Sequence, residues 1–423
     1  MVDFEYQGQI EKFLTTNRFF ARYNVPIHNV PEQFLLIPFL STVCPVVWAN
    51  HGNIYVKNID AVYLDSLRQV QSVLSDLFPK IGFSGKVCAE KIVEDTKNLR
   101  SKSIVLFSGG VDSLATYVRH KEESPLLVAI HGAEVPLEDF KRWEGIIHEI
   151  AHFAKQNNVK YRTISSNFYE LFDHLMGTTF YSELFEGSWW IAVMHSLSFV
   201  GLCAPLSYVD DVGKIYIASS LTKEFKKPRG CIPKVDNKVY WSGTSCSHDG
   251  YELSRQQKIN LIADYSKKEK KSFGVRVCGK RDMKTNFNKA SNCSSSKCEK
   301  CSRTIVGLEL AGLDPNDYGF KVKPGIFNEI KASIENNSWN KFGYGEKYLW
   351  KDIYRQAKSH GDLPHPEAGE FVDWLLKINI ETATSNSLEH QIRRVVQFVA
   401  STFRYVPNWL WRVNRVIYHQ LVQ

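Results

Sequence analysis

Six consecutive residues carry the clearest chemistry in the chain: Ser108, Gly109, Gly110, Val111, Asp112 and Ser113. They stand between an apolar run, SIVLF over 103–107, and a helix-like run, LATYVRH over 114–120. Adjacent glycines let a backbone turn tightly, so that several N–H groups point at one oxyanion with no Cβ in the way. A helix beginning at Asp112 and Ser113 adds its positive end to the same place. The two serines supply hydroxyl donors. A bare phosphate would repel Asp112, which leaves that residue to hold Mg²⁺ or to fix the loop. The spacing GxxxxGK[ST] is absent, so this is a different kind of phosphate loop.

A second constellation is four cysteines, Cys278, Cys293, Cys298 and Cys301, spaced C-x14-C-x4-C-x2-C. Four thiolates satisfy a tetrahedral Zn²⁺ and leave no open position, which makes such a site structural. The close pair runs into a helix expected over 302–311, and Cys278 follows the strand-like FGVRV at 273–277. One free pair plus two unrelated thiols is the alternative. The nine cysteines are odd in number and not spaced as a disulfide framework, which suits a reducing cytoplasm. The acidic start, MVDFEYQGQIEKF, does not read as a signal peptide.

The elements that position these residues read as α/β. SIVLFS, LLVAIHG (126–132), VKYRTIS (159–165) and KIYIASS (214–220) have the texture of buried parallel strands, alternating with helical stretches such as 137–156. Residues 189–206 are 18 without a formal charge, the lower limit for a spanning helix, but His195, Ser196, Ser198 and Pro205 favour a buried crossover helix and no membrane span. Residues 1–98 read as a mixed α/β extension, 99–320 as the catalytic domain, and 321–423 as a helical region. In that last region 388–423 mixes Arg with aromatic residues, as a packing face does, or a face that docks a partner or a membrane surface. Net charge is +8, yet 222–303 alone holds 20 Lys/Arg against 8 Asp/Glu. A basic stretch of that kind suits an anionic ligand or a solvated Lys-rich face.

The strand–SGGVDS–helix pattern resembles the PP-loop ATP pyrophosphatases, which share an adenine nucleotide alpha hydrolase-like core. Together with the four cysteines, 189–203, KIYIASS and LSRQQKINLIADYS (253–266), it is similar to the 7-cyano-7-deazaguanine synthase (QueC-like) branch over roughly half of the chain. Two features depart from that branch: Gly187-Ser188-Trp189-Trp190 stand where its Arg-Asn pair is expected, and the cysteine cluster is looser.

The resemblance implies ATP and Mg²⁺ on Ser108–Ser113, with Zn²⁺ on the four cysteines. It also implies adenylation of a deazapurine carboxylate, 7-carboxy-7-deazaguanine, followed by transfer of the acyl group to ammonia or a protein amine. The product is an amide, a nitrile or a base–protein conjugate. Extended proteins of this branch are associated with anti-phage defence, and the extensions are candidates for presenting a protein partner. Beyond the loop, candidates at the carboxyl ends of the strands are His131, Glu134, Ser219, Ser220, Thr222, His248, Asp249 and Lys258. Lys258 would meet a phosphate or carboxylate, and Trp189 and Trp190 would stack on a base or fill the core. Two competing readings are a PP-loop tRNA-modifying enzyme binding RNA through the basic region and a non-catalytic nucleotide-binding scaffold. Cys278→Ser should lower the zinc content of the purified protein by about one ion per chain and lower its thermal stability. An unchanged zinc content and melting temperature would contradict the tetrathiolate site.

Overall fold

Short β-branched runs with apolar side chains on both sides dictate a sheet covered on both faces. The computed structural model describes residues 1–94, 100–181, 188–226, 228–277, 292, 294–296, 298–336 and 344–378. Cys278, Cys293 and the 388–423 stretch lie outside them. Seven strands form one sheet: β1 (Ala21–Tyr23), β2 (Lys102–Leu106), β3 (Leu126–His131), β4 (Tyr161–Ser166), β5 (Val212–Ala218), β6 (Tyr240–Trp241) and β7 (Thr244–Asp249). Their order is β6-β7-β5-β2-β3-β4-β1. The five inner strands are parallel, with Ile104 of β2 in register with Leu126 on one side and Ile215 on the other. The edges β6 and β1 run antiparallel, so the sheet is mixed where the sequence suggested a parallel one. β6 turns back at Ser242-Gly243, and β1 arrives from the first hundred residues.

Among the described residues, the helices that cover the sheet or extend its layers include α1 (Ile37–Ala49), α2 (Ala61–Leu77), α3 (Val111–His120), α4 (Phe140–Gln156), α5 (His195–Gly201), α6 (Ala204–Val209), α7 (Arg255–Glu269), α8 (Glu299–Leu310), α9 (Ile326–Glu335), α10 (Tyr344–Ala357) and α11 (Pro366–Lys377). Period-two alternation sends Ile104, Val128, Ile164 and Ile215 to one face, against α1, α2 and the crossover helix. It sends Val105, Leu127, Ala129 and Tyr216 to the other, against α3, α4, α7 and α8, with α9 to α11 joining that core.

The segment Trp190–Val209 is apolar and long enough to cross a membrane, but 83% of its most apolar window is buried in the fold. It opens with a π-helical turn, Trp190–Met194, and continues as α5 and α6. The run 34–40 is helical, with Pro38 in the first turn of α1, where its fixed φ suits the helix and its missing N–H costs nothing.

The described residues of the extension, 1–94, share the core of the main sheet. β1 completes the main sheet, and Phe34, Ile37, Tyr63 and Leu67 sit in one apolar core with Ile104 and Ile215. FGVRV (273–277) is not a sheet strand either. Its backbone bonds go to Tyr318, to Gly109 and to the Asn292 side chain. Because Ile37 is fully buried between the extension and the sheet, Ile37→Ala should cost about 2–5 kcal/mol in denaturant unfolding. A loss below about 0.5 kcal/mol, the level of surface substitutions, would mean that the extension does not share the core.

Candidate functional site

The strand order reverses at β2, because the chain leaves β2 for β3 and β4 and then returns to β5 on its other side. In sheets of this kind the crevice outside the carboxyl ends at that point is where ligands bind. SGGVDS occupies this position. Gly109 has φ +73, a conformation open to glycine and strained for other residues. A Cβ on Gly110 would stand 3.1 Å from the Arg276 carbonyl oxygen. Gly110 is the N-cap of α3 and no side chain caps it, so the first-turn N–H groups face the loop. Ser113 Oγ donates to the Gly110 carbonyl at 3.1 Å and accepts from the Ser108 N–H at 3.3 Å, which pins the loop from inside.

Three cationic side chains converge on this loop, and two share Asp112. Arg255 Nη1 lies 2.5 Å from Asp112 Oδ2, and Lys258 Nζ lies 3.2 Å from Asp112 Oδ1. Ser254 begins α7 with a reciprocal capping box to Gln257. Arg255 and Lys258, three residues apart, therefore share one helix face. Lys258 is buried and also donates to the Ser219 carbonyl, tying the end of β5 to the loop. Burial by itself would raise the Asp112 carboxyl, but Arg255 and Lys258 outweigh it and hold the group below its ordinary range. Of the two tasks the sequence offered Asp112, these contacts serve fixing the loop. The third cation, Arg276, donates its backbone N–H to Gly109 O and its Nε to Ser108 O, both at 2.8 Å, and reaches Glu134 at 3.5 Å.

Two hollows adjoin these residues. A cavity of about 150 Å³ lies against Ser108 and Gly109, walled by Phe107, Ile150, Phe153 and Arg276. A larger groove of about 870 Å³ separates the start of α7 from α10, with Thr222, Gln257, Tyr348 and Asp352 on its walls. Thr222 Oγ1 and the Tyr348 hydroxyl lie 2.6 Å apart across it.

Several sequence candidates are elsewhere engaged. His131 is buried, its Nε2 is 2.8 Å from the Pro136 carbonyl, and its ring stacks on Trp143. Burial lowers its pKa, and its contacts are those of a structural histidine. His248 pairs with Asp236 at 2.6 Å, while Asp249 holds α3 through Thr116, Arg119 and His120. Trp189 stacks with Phe83 and Trp190 packs edge-on against Tyr169 and Phe199, so neither walls the two hollows.

Cys298 is the N-cap of α8 and Cys301 lies one turn inside it, both buried. Two thiols at a helix entry are donors that suit zinc; Cys278 and Cys293, the other half of the expected set, lie outside the described residues. Arg255 and Arg276 escaped the sequence reading. Arg255 had a signal, the i,i+3 spacing to Lys258, whereas Arg276 had none.

No protein-family model, curated protein or solved structure matches this chain. The Asp112 pairing carries a pH signature. A carboxyl whose folded pKa is depressed stabilises fully above its unfolded value near 3.8 and loses that contribution as pH falls through the folded value. The stability gap between the wild type and Asp112→Asn should therefore be constant near neutrality and close below about pH 4. A gap that stays constant down to pH 2 in chemical denaturation would remove the ion pairs from the account.

Proposed function

We propose that this protein is an ATP-dependent carbon–nitrogen ligase of the PP-loop kind, releasing AMP and pyrophosphate. The observation that carries this reading is SGGVDS at the strand-order reversal, opening α3, with Arg255 and Lys258 held beside it by Asp112. An uncapped helix N-terminus, glycine-rich backbone and fixed cations are the elements of an anion site. The small cavity at Ser108 and Gly109 has aromatic walls for a planar base and polar groups at its rim, including Glu149 and Gln156.

In this reading a substrate carboxylate oxygen attacks the α-phosphorus of ATP. The bond from that phosphorus to its bridging oxygen breaks and pyrophosphate leaves. An amine then attacks the acyl carbon, the C–O bond to AMP breaks, and the surplus proton passes to solvent. Loop N–H groups and the end of α3 bind phosphate oxygens. Lys258 and Arg255 set positive charge where pyrophosphate departs, and Asp112 holds both in place. Mg²⁺, bound with ATP, supplies further neutralisation of the phosphate oxygens. Zinc on Cys278, Cys293, Cys298 and Cys301 would have a structural task, organising the segment whose Arg276 straps the loop.

The acid we propose is 7-carboxy-7-deazaguanine, on the resemblance to the QueC-like branch. The amine is ammonia or a protein amine, the latter in keeping with a defence role. Mass spectrometry after incubation with ATP, Mg²⁺, this acid and ammonium should find AMP with an amide, a nitrile or a base-modified polypeptide. Ser113→Ala should slow AMP formation by about 10²-fold. AMP formed only with tRNA or an unrelated acid would overturn the deazaguanine assignment. No AMP with any acceptor would overturn the ligase itself.

A further inference from the structure

The geometry points to a divalent metal site, of zinc class, on Cys231, Asp236 and His248, separate from the four cysteines already discussed. One ligand atom from each of these three residues lies within 4.8 Å of the other two. A tetrahedral ion with bonds of about 2.0–2.3 Å spans such a set after small side-chain movements. The three residues come from distant parts of one local structure. Cys231 precedes a single helical turn, Pro233–Asp236, which ends at Asp236, and His248 stands near the carboxyl end of β7. Asn237 fixes the arrangement by accepting the His248 backbone N–H at 2.8 Å.

The second observation is what burial leaves unfinished. The side chains of Asp236 and His248 are fully buried, and although His248 Nδ1 meets Asp236 Oδ2, the other two polar atoms have no hydrogen-bond partner among the described residues. These orphans are Asp236 Oδ1, an acceptor, and His248 Nε2, which the Nδ1–H tautomer also makes an acceptor. Buried acceptors left without a donor each cost about 1–3 kcal/mol unless something electropositive completes them. The Cys231 thiol hydrogen-bonds with the same carboxylate and with the Ser196 hydroxyl. Replacing the thiol proton and the Nδ1 proton by one ion would join Cys231 Sγ, Asp236 and His248 Nδ1, with the ring proton moving to Nε2.

The donor types select the ion. Thiolate, imidazole and carboxylate together suit zinc and its transition-metal neighbours, whereas Mg²⁺ and Ca²⁺ take all-oxygen sets. On binding, the S–H bond of Cys231 breaks, sulfur joins the metal, and the proton passes to solvent. A dication with one thiolate, one carboxylate and one neutral imidazole is locally neutral, which makes its burial tolerable. Three protein ligands leave a fourth position for water or a substrate atom.

The test uses the full chain and zinc itself, and it reads no catalysis. In chelator-stripped wild-type protein, alkylation of Cys231 followed by peptide mapping should slow at least tenfold when zinc is restored, read separately from Cys298 and Cys301. In metal analysis Cys231→Ala and His248→Gln should each lose about one zinc per chain, while Cys246→Ala, a buried thiol outside the cluster, should lose none. Equal alkylation of Cys231 with and without zinc would overturn the site, as would folded variants that keep the wild-type zinc content. Either result leaves the ligase reading where it stands.

Discussion

The loop at the heart of this protein depends on one carboxylate shared by two cations. Asp112 sits in the first turn of α3, where the helix dipole favours a negative group. It faces Lys258, whose ammonium has almost no contact with water, and Arg255 beside it. Removing the carboxylate would strand a buried cation, a defect worth about 3–5 kcal/mol. The pairing also fixes where three elements end: the start of α3, the start of α7 and, through the Ser219 carbonyl, the end of β5. A surface ion pair would contribute little, but this one is enclosed and hydrogen-bonded, so it sets geometry.

The rest of the fold explains why that junction lies where it does. Apolar residues alternate along β2, so Ile104 belongs to one core and Val105 to the other. The strand order reverses next to β2, and the loop that follows it opens on the crevice this creates. Arg276 then crosses the loop from a segment with no place in the sheet, binding the carbonyls of Ser108 and Gly109. Asn292, with its side chain on the backbone of Val275 and Val277, ties that strap to the chain leading to Cys298 and Cys301.

What was legible in the sequence is what local physics determines. SIVLF, LLVAIH and KIYIA declare buried strands through their side-chain texture, and a Gly-Gly pair between strand and helix declares a tight turn. The expected helices at 137–156, 253–266 and 302–311 appear as α4, α7 and α8 with shifted ends. Tertiary pairing was not legible. Nothing in Ala21–Tyr23 says that it closes the sheet beside β4, and nothing near Trp189 says that its neighbours are Phe83 and Tyr181. His248 and Asp249 illustrate the same limit. As part of a polar stretch they were candidates for the ligand pocket, yet one pairs with Asp236 and the other anchors α3. FGVRV has strand texture, but its hydrogen-bond partners are loops, and a short apolar run cannot reveal that.

The uneven charge of the chain takes on a different meaning once these contacts are known. A surplus of 12 cationic side chains between 222 and 303 resembles an exposed surface for a polyanion, and in sequence that reading competes with any other. Yet Arg255, Lys258 and Arg276 come from this stretch, and their side chains are only 16%, 2% and 17% exposed. Arg303 is likewise buried and paired with Glu299 within α8. A nucleic-acid face needs cations that shed counterions at an open surface, whereas three of these converge on one concave turn of backbone. There Arg255 and Lys258 pair with Asp112, and Arg276 with Glu134. Lys223, Lys226, Lys234, Lys238, Lys267, Lys268, Lys270 and Lys271 of the same stretch are exposed, so its cations divide between the buried set at the loop and an open Lys-rich surface.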